Sequence, residues 1–105
     1  MKIVKRIVVG AVFCAAHKDK FTGQLHGHTW EVEATFLAGR NASELQEELV
    51  AVLKTLDHSL LPDNLAWSED IAEFVLQSLD GCKAVAVKRP LERIYAYVER
   101  IENDR

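Results

Sequence analysis

The chain has 105 residues, 49% hydrophobic and 28% charged, with 13 Lys and Arg against 16 Asp and Glu. That length and balance describe one ordinary domain built on a single core. A net charge of −3 leaves no electrostatic footprint for nucleic acid, and no basic amphipathic stretch marks a membrane surface. Two cysteines, Cys14 and Cys82, without dense spacing point to reduced thiols in a cytoplasmic protein.

The order of elements reads β-β-α-α-β-β. The first strand is expected from about Ile3 to Ala16, rich in β-branched residues, with Gly10 as a bulge. Its basic start and apolar run imitate a signal peptide, but cleavage after Ala16 would discard a strand that the domain needs. Residues 18–24 make a polar turn. A second strand follows over about Leu25–Leu37, with Trp30, Val32, Ala34 and Phe36 on one face and Thr29, Glu31, Glu33 and Thr35 on the other. Ser43-x-x-Gln46 is a capping-box signature, and Leu45, Leu49, Val52, Leu53 and Leu56 stripe a helix over about 44–56. A loop over 57–67 holds Pro62-Asp63-Asn64. Ser68 then caps a second helix, with Ile71, Phe74, Val75 and Leu79 buried and Asp80-Gly81 as its stop. Lys83–Lys88 and about Leu91–Ile101 are the last strands, joined through Arg89-Pro90.

These elements predict an α+β domain spanning 1–105: a four-stranded antiparallel sheet with two helices on one face. Such a sheet leaves two edges and one face uncovered, which favours homo-oligomers with sites between subunits.

Three of the four histidines fall between His17 and His28. His26 and His28 are two apart, so an extended strand turns both imidazoles to one face. His17 closes the preceding apolar run, which would pair with that strand. Three imidazoles with an open fourth position are how a protein holds a catalytic Zn²⁺. The plainer alternative is strand histidines bonded to backbone. For Asp57-His58 the plainer alternative is a helix C-terminus in which His58 complements the dipole.

Phe13-Cys14-Ala15-Ala16-His17, Leu25-His26-Gly27-His28-Thr29-Trp30 and Leu56-Asp57-His58-Ser59-Leu60-Leu61 resemble motifs of the 6-pyruvoyltetrahydropterin synthase / 6-carboxytetrahydropterin synthase family. The resemblance covers nearly the whole chain and implies the tunnelling fold. It also implies that His17, His26 and His28 bind Zn²⁺ and that Asp57 and His58 belong to a proton relay. The protein would be a cytoplasmic homo-oligomer, often a hexamer, with pockets at its interfaces. The implied activity is that of a lyase on the C6 side chain of a dihydropterin of the dihydroneopterin triphosphate class. Protons move on side-chain carbons with triphosphate or two-carbon elimination, in a biopterin, folate or queuosine-type route.

Two positions depart from that pattern. The family's cysteine base, four residues before the first His of His-Gly-His, is here Thr22, the candidate left in that catalytic role. A hydroxyl without a strong base beside it is a far poorer proton acceptor than a thiolate. Cys14 lies three before His17, so a regular strand points it to the opposite face, where a small buried residue is expected. The family's glutamate for the pterin's aminopyrimidine edge is here Arg89, a donor with no acceptor. Glu92 and Glu69 are the remaining carboxylates for substrate binding. If Arg89 faces the pocket, it suits an acidic or carbonyl-bearing ligand. The alternative function is a catalytically diverged member of the family that binds metal or ligand as an oligomer. A third reading, a structural domain with incidental histidines, expects no metal to co-purify.

Overall fold

The computed structural model describes residues 1–101. The last four residues of the single-domain span, 102–105, lie outside the described residues. Strands β1 (Arg6–Lys18), β2 (Leu25–Leu37), β3 (Cys82–Arg89) and β4 (Ile94–Glu99) form one sheet in the order β1-β2-β3-β4. Every neighbouring pair is antiparallel. Helices α1 (Ala42–Lys54) and α2 (Ser68–Ser78) lie between β2 and β3. Helix α1 packs against β1, and α2 against β3 and β4. The predicted α+β architecture is thus the observed one.

Alternation decides which face carries the core. Val9, Phe13 and Ala15 of β1, Trp30, Val32, Ala34 and Phe36 of β2, and Val85 and Val87 of β3 are buried. They meet Leu45, Leu49 and Leu53 of α1 and Ile71, Ala72, Val75 and Leu76 of α2 in one cluster. Phe13 faces Trp30 across the hairpin with ring centres 5.1 Å apart. Among the described residues no helix is long and apolar enough to cross a membrane.

Several local expectations are corrected. The first strand starts at Arg6 and runs on to Lys18, so it carries His17 inside the ladder rather than beyond it. Gly10 makes no bulge: it pairs in register with Glu33, and the register shift lies between Thr35 and Phe36 where β2 meets β3. A Cβ at Gly10 would meet Val32 O at an ordinary 3.5 Å, so crowding does not demand glycine there.

The cap of α1 is Asn41, not Ser43. The Asn41 side chain accepts from Glu44 N at 3.2 Å, and Gln46 Nε2 instead donates to Gly10 O at 2.9 Å. Asn and Ser cap equally well, so the exit of the chain from β2 decides between them. Helix α2 likewise starts one residue early: Trp67 is its cap, without a side-chain hydrogen bond, and Ser68 is its first residue. Phe74 is only partly buried, whereas Ala72 and Leu76 are buried. The helix sits over two strands and buries a wider arc than its predicted stripe. The helix ends at Ser78, where Leu79 turns extended, and Gly81, at φ +75°, leads into β3 in the left-handed conformation that glycine accepts without strain. Strand β4 is shorter than expected, because residues 90–93 form the turn that connects it to β3.

Candidate active site

The hairpin between β1 and β2 builds the site. Its register sets His17 directly opposite His26 and Ala15 opposite His28. His17 continues the inward series of Phe13 and Ala15, and His26 and His28 continue the inward series of Trp30, so all three imidazoles project from one face. Their ring centres are 4.8 Å apart for His17 and His28, and 6.1 Å apart for each of the other two pairs. Trp30 closes the layer beneath, edge-on to His17 at 5.6 Å and to His28 at 5.3 Å. Its buried Nε1 has no hydrogen-bond partner.

The loop before α2 determines one proton position. His17, buried, has Nδ1 2.8 Å from Ala66 O. A carbonyl only accepts, so Nδ1 carries the hydrogen and Nε2 keeps its lone pair for a ligand. Burial first, then the Arg89 guanidinium and the neighbouring His17, holds His28 below the ordinary imidazole value, against the pull of Glu92. A neutral imidazole is the form that binds a metal.

A tetrahedral ion ~2 Å from three ring nitrogens sets ring centres ~5 Å apart, close to the observed spacings. Among the described residues, however, no three His, Cys, Asp or Glu side chains already converge as a cage for an ion. The residues therefore fit a divalent ion in donor type, tautomer and neighbourhood. Ring rotations about χ1 and χ2 would be needed to aim the nitrogens.

Asp57 and His58 reach this region by a route that spacing did not reveal. After α1 the chain turns and runs beside the outer edge of β1, with Ala16 and Leu60 in a parallel bridge. His58 N donates to Cys14 O at 2.6 Å, Ala16 N to Ser59 O at 2.9 Å, and Leu61 N to Ala16 O at 2.8 Å. Asp57 Oδ1 accepts from Cys14 N at 2.9 Å, and Oδ2 lies 2.8 Å from His58 Nδ1. The Cys14 N–H foremost, with His58 adding to it, holds the Asp57 carboxyl below its ordinary value. His58 sits at φ +57°, a left-handed backbone uncommon for a residue with a Cβ and of a kind found at functional turns.

Two cavities flank the histidines. One, of about 590 Å³, is lined by His28, His58, Ser59, Cys14, Thr29 and Glu92 among others. The second, of about 460 Å³, brings His17 together with Glu69, Arg89, Phe21, Trp67 and Tyr95. Glu92 stands between the two sets, with Oε2 3.6 Å from His28 Nδ1 and Oε1 3.6 Å from Arg89 Nε. Of the sequence-derived site residues, His26, Asp57 and Thr22 line neither cavity. His26 and Asp57 stand against His28 and His58, whereas Thr22 stays in its own turn. Its backbone N–H donates to Asp19 Oδ1, and its hydroxyl oxygen accepts from Gln24 N in the exposed turn.

Sequence reasoning misjudged Cys14 and missed the aromatic walls. Cys14 is exposed, not buried. Its Sγ lies 3.3 Å from Thr29 Oγ1, on the sheet face opposite His17, and that face carries no helix. Strand parity signals the face, but not that it is open. Phe21 and Trp67 come from separate loops and meet with ring centres 6.2 Å apart, a contact with no trace in local spacing.

Residues 6–89 match the family model described as 6-pyruvoyl tetrahydropterin synthase. The fold is similar to the structure of Caenorhabditis elegans 6-pyruvoyl tetrahydropterin synthase, with a TM-score of 0.72 at 16% identity, covering 96% of this chain and 100% of that one. No curated protein matches the sequence.

Proposed function

The chain belongs to the 6-pyruvoyl tetrahydropterin synthase family, and from that premise we propose that it is a zinc-dependent lyase acting on the C6 side chain of a dihydropterin. One observation carries this reading. Three imidazoles cluster at one end of the β1–β2 hairpin, and a carboxylate-oriented histidine is tied to the same strand.

His17, His26 and His28 would hold the ion. His17 enters with its tautomer set by Ala66 O, and partial burial beside Arg89 favours the neutral form of His28. A bound Zn²⁺ supplies Lewis-acid polarisation of oxygens on the side chain. The protein's own contribution is proton handling. Asp57, kept ionised by the Cys14 N–H, orients His58 through Nδ1 and leaves Nε2 to take up or return a proton at a carbon next to the ring. His58 lines the same cavity as His28, so proton transfer and side-chain binding share one space. The uncovered sheet face suits assembly into a homo-oligomer.

The test is to incubate zinc-loaded protein with dihydroneopterin triphosphate and identify the products by mass spectrometry, with His26→Ala as control. Turnover by the wild type that disappears in the control is expected, and the product mass names the bond that breaks. No turnover at one metal per chain would favour the second reading, a diverged family member that binds metal or ligand without the reaction. That reading is favoured by Thr22, whose hydroxyl is engaged within its own turn, and by Arg89.

A further inference from the structure

The second cavity has walls suited to a flat ring. Phe21 and Trp67 line it with ring centres 6.2 Å apart, and aromatic faces stack on planar ligands. Its polar groups are unevenly divided between donors and acceptors. Two acceptors at its margin are already engaged: Ala66 O by His17 Nδ1, and Asp19 Oδ1 by Phe21 N and Thr22 N.

Donors dominate what remains. Arg89 offers a guanidinium with five N–H groups and no acceptor. Its Nε is buried without a hydrogen-bond partner, and Glu92 Oε1 at 3.6 Å is too distant to serve. Helix α2 opens onto the cavity at Ser68 and Glu69, and no side chain caps it. Lys20, which also lines the cavity, holds Nζ 6.0 Å from the centre of the Trp67 ring. Glu69, an exposed side chain, is the one carboxylate in this set with no engagement of that kind.

A ring edge bearing an amino group would point N–H donors at a guanidinium, leaving both sides unmatched in a partly dry site. A ring edge bearing carbonyl oxygens would accept from it. Resting on the pteridine reading above and naming the ring class within it, we propose that Arg89 makes this cavity select a 2,4-dioxopteridine edge over the 2-amino-4-oxo edge of a pterin.

The experiment is a fluorescence titration of the full-length protein with 2,4-dioxopteridine (lumazine) and, separately, with pterin. The wild type is expected to bind lumazine about tenfold tighter or more, the size of one mismatched hydrogen bond. Arg89→Glu should reverse the preference. Arg89→Gln, which both donates and accepts, should remove it. Circular dichroism of each variant separates a changed edge from a lost fold. Equal binding, a preference for pterin, or a lumazine preference that survives in a folded Arg89→Glu would overturn the inference while leaving the lyase reading intact. Binding of neither ring would overturn it as well, and turnover of a dihydropterin by the same preparation then decides whether the lyase reading falls with it.

Discussion

Asp57 ties the proton-handling pair to the hairpin, and its ionisation is readable in solution. Its folded-state pKa lies below the ordinary carboxylate value near 4, chiefly because the Cys14 N–H bonds the ionised form. A depressed carboxylate contributes stability above its unfolded pKa and loses it as pH falls through the folded value. Wild type should therefore melt above Asp57→Asn at pH 7, and the gap should close as pH falls below the ordinary carboxylate value near 4. A gap independent of pH in thermal melts would remove the charge from the account. At this scale the histidines were legible in the sequence, because a two-residue spacing on a strand admits one arrangement. The Asp57–His58 contact with Cys14 was not: it joins residues 43 positions apart through a loop of no regular period.

The start of α1 shows where element-level reasoning reaches its limit. Asn41 and Ser43 are both good caps, and only Asn41 accepts from the helix backbone. Asn41→Ala should cost about 1 kcal/mol, and Ser43→Ala under about 0.5 kcal/mol, in urea unfolding. Equal costs would place the cap wrongly. Both helices and all four strands follow from periodicity. Their ends do not, because neighbouring elements compete for the same one or two residues. Strand β1 extends to Lys18 because β2 supplies a partner for each residue as far as Leu25.

The molecule as a whole is elongated. Its radius of gyration is 14.5 Å, against about 13 Å for a compact chain of this length. The sheet face away from the helices exposes Val8 (54%) and Val12 (62%) on one edge strand and Tyr95 (62%) and Tyr97 (61%) on the other, apolar side chains that a second copy of the chain would cover. Wild type is expected to sediment as a homo-oligomer, with Val12→Glu and Tyr97→Glu shifting it toward the monomer. A monomeric wild type at micromolar concentration would refute this.

By itself the sequence determined the architecture and the histidine cluster. Alternation on β2 and the apolar stripes of two helices leave one way to bury a core, and His26 and His28 ride on that alternation. Tertiary structure alone decided what stands beside the cluster. The segment after α1 lies along β1 and brings His58 to Cys14. The loop before α2 gives Ala66 O to His17. The β3–β4 turn sets Glu92 between His28 and Arg89. These are contacts between segments far apart in the chain, made by irregular backbone whose path follows from packing and not from any local repeat.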